Sequence, residues 1–424
     1  MPAATPARGR TAESHVHTFE NGLTLIVEPM PAVRSAAMAL MTPGGCIYEP
    51  TGVNGTAAVL ADVITRGAGD YNSRQLSDAF DNLGAQRSEL SGWSHCTFRS
   101  AASAEAMPEI LRLYADVVRR PHLSGDEIAP AVDGLRQSLL SLRDEPQRLV
   151  GVELRKLIFE APWGRPTDGS LEDLTRVNAG TVGRHFRGCL GPTDAVLAVA
   201  GAVDVDEVRP LVAELLGDWQ PQSLPVVQRG PRGGRRVHIQ EDSAQTQIAV
   251  AHDASPYRDD GYYAAWALSS VLGGSSSSRL FTEVREKRGL CYSIYASLSS
   301  TPTEGRLITM AGTTADRAQE TLDLTLAELL RVTDDLSEEE LERVKAQAKS
   351  SLVMQQDSTS ARAGALARDW VSLGRVRPIR EVRASIEALR VDDLRDEWHR
   401  RGTAGLTLLT VGPSPLDADE PLFT

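Results

Sequence analysis

The sequence predicts an α+β fold of two related domains, each a sheet covered on one face by helices. Three observations carry this expectation. Strand-like alternation opens the chain, a series of amphipathic helices follows, and an apolar strand closes the first half. The stretch 218–236 is rich in Pro, Gly and Arg without apolar periodicity, the composition of an exposed linker. The two halves also end alike: RVNAGTVGRHFRGCLGPTDAVLAVAGAV (176–203) and RVDDLRDEWHRRGTAGLTLLTVGPS (390–414) share a helix, a turn, an apolar strand and a terminal glycine. Val177 matches Val391 at an offset of 214 and Gly201 matches Gly412 at 211, so the register barely drifts over a whole unit. The expected units are 1–217 and 237–424, joined by 218–236.

Each element has its own warrant. HVHTFENGLTLIVEP alternates around Asn21-Gly22, a strong hairpin signal, which predicts paired strands over 15–28. SAAMALMTPGG (35–45) reads as the next strand. Apolar residues at three- and four-residue spacing predict helices over 53–66, 73–84, 103–119, 124–143 and 147–159. A buried strand is expected at 195–203 and a helix at 205–216.

Composition narrows the class. A chain of 424 residues, 41% hydrophobic and 24% charged, can bury a large core. Its net charge of −12 argues against a broad nucleic-acid footprint, which needs clustered Lys and Arg. Cys46, Cys96, Cys189 and Cys291 are scattered, as suits a reducing compartment, so a cytoplasmic location is expected. The N-terminus, MPAATPARGRTAESHVH, reads as a short disordered tail without a signal-peptide core, and no apolar run is long enough to span a membrane.

Motif reading yields no active site. The histidines include no pair at i and i+4, the spacing a helical zinc site needs. His15 and His17 alternate on a strand, as surface histidines do. GxSxG, GxxxxGK[ST] and a post-strand GxGxxG are all missing. The run Gly273-Gly274-Ser275-Ser276-Ser277-Ser278 lacks the lysine of a phosphate loop and reads as a flexible connection before a helix. His95 and Cys96 are strand neighbours pointing to opposite faces.

Several stretches in order resemble the pitrilysin/insulinase-type zinc peptidases, the group that includes mitochondrial processing peptidase and the core proteins of the cytochrome bc complex. They are FENGLTLIVEP, GVNGTAAVLADVITRGAG (52–69), DEP…WGRPTDGS (144–170), TDAVLAVAGAVDVDEV (193–208) and SSRLFTEVREKRGLCYSIYA (277–296). The resemblance covers nearly the whole chain and implies two α/β-roll domains forming a clamshell. In active members a helix carries HxxEH, whose histidines hold zinc and whose glutamate activates water. Matching Gly55 and Gly67 to the flanking glycines puts Ala58 and Asp62 at the histidine positions and Ala61 at the base. The third ligand, a glutamate on a later helix, falls near Ser138. All are replaced, so the chain is expected to have no catalytic residues, metal or cofactor of its own.

The second half keeps another part of the family pattern. VREKRGLCY supplies Arg285 and Tyr292 seven residues apart. The resemblance implies that this pair contacts substrate: a guanidinium can hydrogen-bond a peptide carbonyl and a phenol an oxyanion. The Gly-Ser run sits where the noncatalytic subunit of the mitochondrial enzyme carries a glycine-rich loop, but here it is short. The expectation is a noncatalytic, substrate-binding subunit of a heterodimeric zinc endopeptidase. A homologous HxxEH partner would supply the zinc, unfolded or short peptides would be the ligands, and neither nucleic acid nor membrane would be bound. Two alternatives stay open: an inactive scaffold protein, or a homodimeric peptide-binding module.

Overall fold

The computed structural model describes residues 13–402 and 405–418. Most of the expected N-terminal tail lies outside the described residues. The first domain runs β1 (His15–Thr18), β2 (Thr24–Pro29), β3 (Ser35–Pro43), α1 (Thr56–Val63), the short pair β4 (Gly67–Ala68) and β5 (Tyr71–Asn72), then α2 (Ser73–Asn82). It continues with β6 (Gln86–Ser91), β7 (His95–Ser103), α3 (Met107–Arg119), α4 (Gly125–Ser141), α5 (Pro146–Ile158), α6 (Leu171–Leu174), α7 (Ala179–Cys189), β8 (Val196–Gly201) and α8 (Val205–Leu216). The second runs β9 (Arg236–Gln240), β10 (Gln245–Ala254), α9 (Tyr262–Gly273), a π-helical turn (Phe281–Glu286), β11 (Cys291–Ser300) and β12 (Gly305–Thr314). It closes with α10 (Ala318–Leu330), α11 (Glu338–Gln356), α12 (Thr359–Leu373), α13 (Ile379–Ala388), α14 (Val391–Glu397) and β13 (Thr407–Gly412).

The two sheets have one topology. The first is ordered β1-β2-β8-β3-β7-β6 and the second, read from its far edge, β9-β13-β10-β12-β11. Removing β1 leaves strand-for-strand correspondence, including one parallel pair in each, β2 with β8 and β9 with β13. The last strand of each unit returns after a long helical crossover, which is the connection a parallel neighbour requires. Gly201 and Gly412 end the equivalent strands β8 and β13.

Local chemistry explains the hairpin. Gly22 takes φ +94°, Asn21 Oδ1 accepts from the Leu23 amide, and Asn21 Nδ2 donates to the Leu216 carbonyl at 2.7 Å. The turn is thereby tied to the end of α8.

Each sheet is covered on one face by its own domain's helices and on the other by a helix from the other domain. Against the first sheet, Ala363, Leu366 and Ala367 of α12 pack on Ile26, Ala37, Ala39, Ala198 and Ala200. Against the second, Val150, Leu154 and Ile158 of α5 pack on Ala249, Ala251, Leu409 and Val411. The halves of the clamshell are clasped by this reciprocal exchange. It explains why AAMAL and VLAVAG are continuous apolar runs: strands buried on both faces have no solvent side to alternate with. At the α12 contact alanines stand on both the helix and the sheet.

Residues 217–235 contain neither helix nor strand. The segment is nonetheless pinned, with Gly230 donating to the Ala161 carbonyl, Arg229 paired with Glu160 of the first domain, and Arg232 paired with Asp253 of the second. Among the described residues no helix is long and apolar enough to cross a membrane.

Candidate functional site

Helix α1 starts from a built N-terminus. Gly55 takes φ +110°, and a Cβ there would lie 2.9 Å from Leu174 Cδ2 and 3.2 Å from the Asp168 carbonyl, so only glycine fits. The amides of Gly55 and Ala57 donate to the buried Glu49 carboxylate, which also accepts from Asn54 Nδ2. Burial pushes the Glu49 carboxyl up to about 7, against the pull of these donors and of the Arg165 charge.

From this start α1 carries Ala58, Ala61 and Asp62 along one wall of a cleft of about 690 Å³. Ser138 and Leu135 of α4 line it with Glu127, edge strand β6 contributes Arg87, Glu89, Leu90 and Ser91, and Asp168 enters from the loop before α6. The structure thus gathers Ala58, Ala61, Asp62 and Ser138 around one space. Arg66, one turn beyond Asp62, donates to its two oxygens at 3.1 and 2.9 Å and reaches Glu127 at 3.4 Å. Glu89 is held by the Tyr114 hydroxyl at 2.8 Å and by Arg87. Burial, then the Glu89 charge, drives the Tyr114 phenol well above its ordinary range.

The donor set does not fit a zinc ion. Two positions are methyl groups, Ser138 offers a neutral hydroxyl, and the Asp62 carboxylate is already engaged by a guanidinium. Among the described residues no three His, Cys, Asp or Glu side chains come together in a metal-holding group. The buried thiols of Cys46, Cys96 and Cys189 are pushed up to about 12 by burial, and His185, bonded to the Gly44 carbonyl, is pushed down. These are neutral core groups, without the thiolate character that nucleophiles need.

Arg285 and Tyr292 do not line that cleft. Arg285 is exposed on the π-helical turn, its guanidinium over the Phe281 ring at 4.6 Å. Its neighbours Lys287 and Arg288 both pair with Glu283, whereas Arg285 has no carboxylate partner among the described residues. Tyr292 is 81% exposed and sits at an irregularity of β11: Cys291 pairs with Thr313 and Ser293 with Gly312, leaving Tyr292 as the extra residue. A bulge of this kind re-aims a side chain out of the ladder. Tyr292 lines a second pocket of about 260 Å³ with Arg317 and with Gln147 of α5, and Gln147 Nε2 donates to Ser293 Oγ at 2.9 Å. Ser138 of the first cleft and Gln147 of the second are separated by residues 139–146.

The Gly-Ser run is a turn closed by the Ser278 amide on the Ser275 carbonyl at 3.1 Å, and it leads to Arg279, paired with Glu340 at 2.6 Å. Sequence reasoning missed the β6 wall of the cleft and its polar residues. The alternation in QRSELS, repeated as half-buried and exposed positions, was the available signal.

Comparison with known proteins identifies the family. The family profile described as insulinase (peptidase family M16) matches residues 24–168, and that described as the peptidase M16 inactive domain matches 179–348. An uncharacterized zinc protease of Rickettsia felis is 24% identical, covering 95% of this chain and 98% of its own. One from Mycobacterium tuberculosis is 28% identical over 93% of this chain and 90% of its own. Among solved structures, a peptidase M16 inactive domain from Pseudomonas fluorescens superposes with a TM-score of 0.88 at 18% identity, covering 96% of this chain and 99% of its own. A protease from Helicobacter pylori gives 0.88 at 18%, covering 95% and 100%. The chain therefore belongs to peptidase family M16.

Proposed function

We propose that this protein is a noncatalytic, substrate-binding subunit of a heterodimeric zinc metalloendopeptidase and does not cleave peptides alone. Its relatives are named zinc proteases, but Ala58, Ala61 and Asp62 stand where a metal and its base would be held. A base removed from such a site costs about 10²- to 10⁴-fold in rate even before the ligands are considered. The zinc and base come from a homologous HxxEH partner, and this chain contributes Arg285 and Tyr292.

The observation that carries the reading is the state of that pair. An exposed guanidinium lacks a carboxylate among the described residues while the nearby cations Lys287 and Arg288 are both paired, and an exposed phenol stands on a bulge. Arg285 would donate to a peptide carbonyl and Tyr292 to the oxyanion that develops at the scissile bond.

The test is reconstitution. Cleavage of a quenched fluorescent peptide should need both purified chains and should fall at least about tenfold with Arg285→Ala or Tyr292→Phe. Full activity of the partner alone, unchanged by this chain, would overturn the proposal.

A further inference from the structure

The two sheets differ at one edge. In the first, β2 carries β1 on its outer side, paired antiparallel from His15 against Val27 to Thr18 against Thr24. In the second, the equivalent strand β9 ends its sheet and pairs only with β13. The Leu408 amide donates to the Arg235 carbonyl and the Glu241 amide to the Gly412 carbonyl, so the backbone groups of the odd-numbered residues face β13. Alternation turns the N–H and C=O of His238 and Gln240 outward, where no strand meets them among the described residues. The segment after β13 is tied to the even-numbered face of β9, with Gln240 Nε2 donating to the Pro413 carbonyl at 2.7 Å and Arg236 Nη2 to the Leu416 carbonyl at 2.9 Å. It adds no strand to that edge among the described residues.

The side chains along the open edge select what can cover it. Val237 and Ile239 share one face and are only half-buried against the α5 layer. On the same face Arg235 flanks one end and Glu241 the other, and neither has an ion-pair partner among the described residues. Reversed about His238, this segment sets cation opposite anion and valine opposite isoleucine. A strand of that pattern is complementary to its own antiparallel copy.

We infer that β9 is a self-association surface, on which a second copy of this chain pairs antiparallel about a two-fold axis through the His238 pair. The two His238 residues exchange both backbone hydrogen bonds, Val237 of each copy packs on Ile239 of the other, and Arg235 of each meets Glu241 of the other. A two-fold axis perpendicular to the sheet keeps odd-numbered residues on one face in both copies, so all of these contacts form in a single register. The second copy gives β9 the antiparallel neighbour that β1 gives β2. Because β9 and β11 are opposite edges of their sheet, Tyr292 on β11 stays open to an HxxEH partner. The surface goes beyond the subunit role and does not depend on it.

Sedimentation equilibrium of the purified full chain over a wide concentration range tests it and should show a reversible monomer–dimer equilibrium. Arg235→Glu and Glu241→Arg each set like charges opposite one another at both ends of the pairing, and each should raise the dimer dissociation constant at least about tenfold. Mixing the two variants should restore a heterodimer, and the double variant should dimerise as the wild type does; recovery in the mixture shows that neither variant is misfolded. A chain that stays monomeric throughout would overturn the inference. So would a dimer indifferent to both charge reversals, which would place the interface elsewhere, or a mixture that fails to recover. Peptide cleavage by the reconstituted pair of chains should be unchanged by Glu241→Arg, so this surface and the subunit role fail or hold separately.

Discussion

Arg362 of α12 donates two hydrogen bonds of 2.6 Å to the two carboxylate oxygens of Glu28 on β2, joining the second domain to the first through a buried, bidentate ion pair. The Ser14 hydroxyl donates to the same carboxylate at 2.8 Å. Geometry this favourable offsets the desolvation of both charges, but removing one partner strands the other. Arg362→Ala should therefore cost about 3–5 kcal/mol, whereas the paired change Glu28→Gln with Arg362→Met should recover much of that loss. Urea denaturation of the wild type and the two variants checks it.

The exchanged helices make the two domains one cooperative unit. Leu366→Ala, on α12 against the first sheet, should cost about 2–5 kcal/mol and lower the stability of both halves together, seen as a single shifted calorimetric transition. A chain split within 218–236 should give insoluble halves when expressed apart and a soluble complex when co-expressed, because each half alone exposes an apolar sheet face.

Much of this was legible beforehand, for reasons specific residues make plain. Asn21-Gly22 announced its hairpin because only a few residue types accept that turn, and helices α2 to α5 showed their apolar period. Gly201 and Gly412 exposed the duplication. The helix exchange was not legible: SAAMALMTPGG reads as a strand, but nothing local says that α12 covers it from more than three hundred residues away. Covering helices were therefore expected on one face of each sheet, where the structure has them on both. Ala58, Ala61, Asp62 and Ser138 could be matched to the family pattern. The β6 wall could not, since Arg87, Glu89 and Asp168 matter only through the cleft that folding assembles. The bulge at Tyr292 was equally hidden, because an extra residue in a strand leaves no mark in its own letters.

Acid should weaken the fold through the buried His252 and the half-buried His95. Burial lowers His252, stacked edge-on against Trp398, and His95 to about 4, against an ordinary 6.5. Both are neutral in the folded state above that value, while the unfolded chain takes up protons below about 6.5, so stability is present above that pH and is lost as pH falls from 6.5 towards 4. Each fully titrated histidine accounts for roughly 3 kcal/mol. Denaturation at several pH values should show wild type losing more stability across this window than His252→Phe, with no difference in slope above pH 7.

Substitutions at the exposed pair should separate function from folding. Arg285→Ala and Tyr292→Phe should each shift stability by less than about 0.5 kcal/mol, since neither side chain is buried. Their effect should appear in kcat of the reconstituted pair of chains, read by steady-state peptide cleavage, with the partner's zinc content unchanged.

Equilibrium dialysis of the purified single chain against zinc, followed by elemental analysis, bears most directly on the claim that the α1 cleft cannot hold a catalytic metal. The donor set of Ala58, Ala61, Asp62 and Ser138 predicts far less than one tightly held zinc per chain, with no peptide cleavage. One zinc per chain that resists exchange and is lost with Asp62→Asn would contradict it.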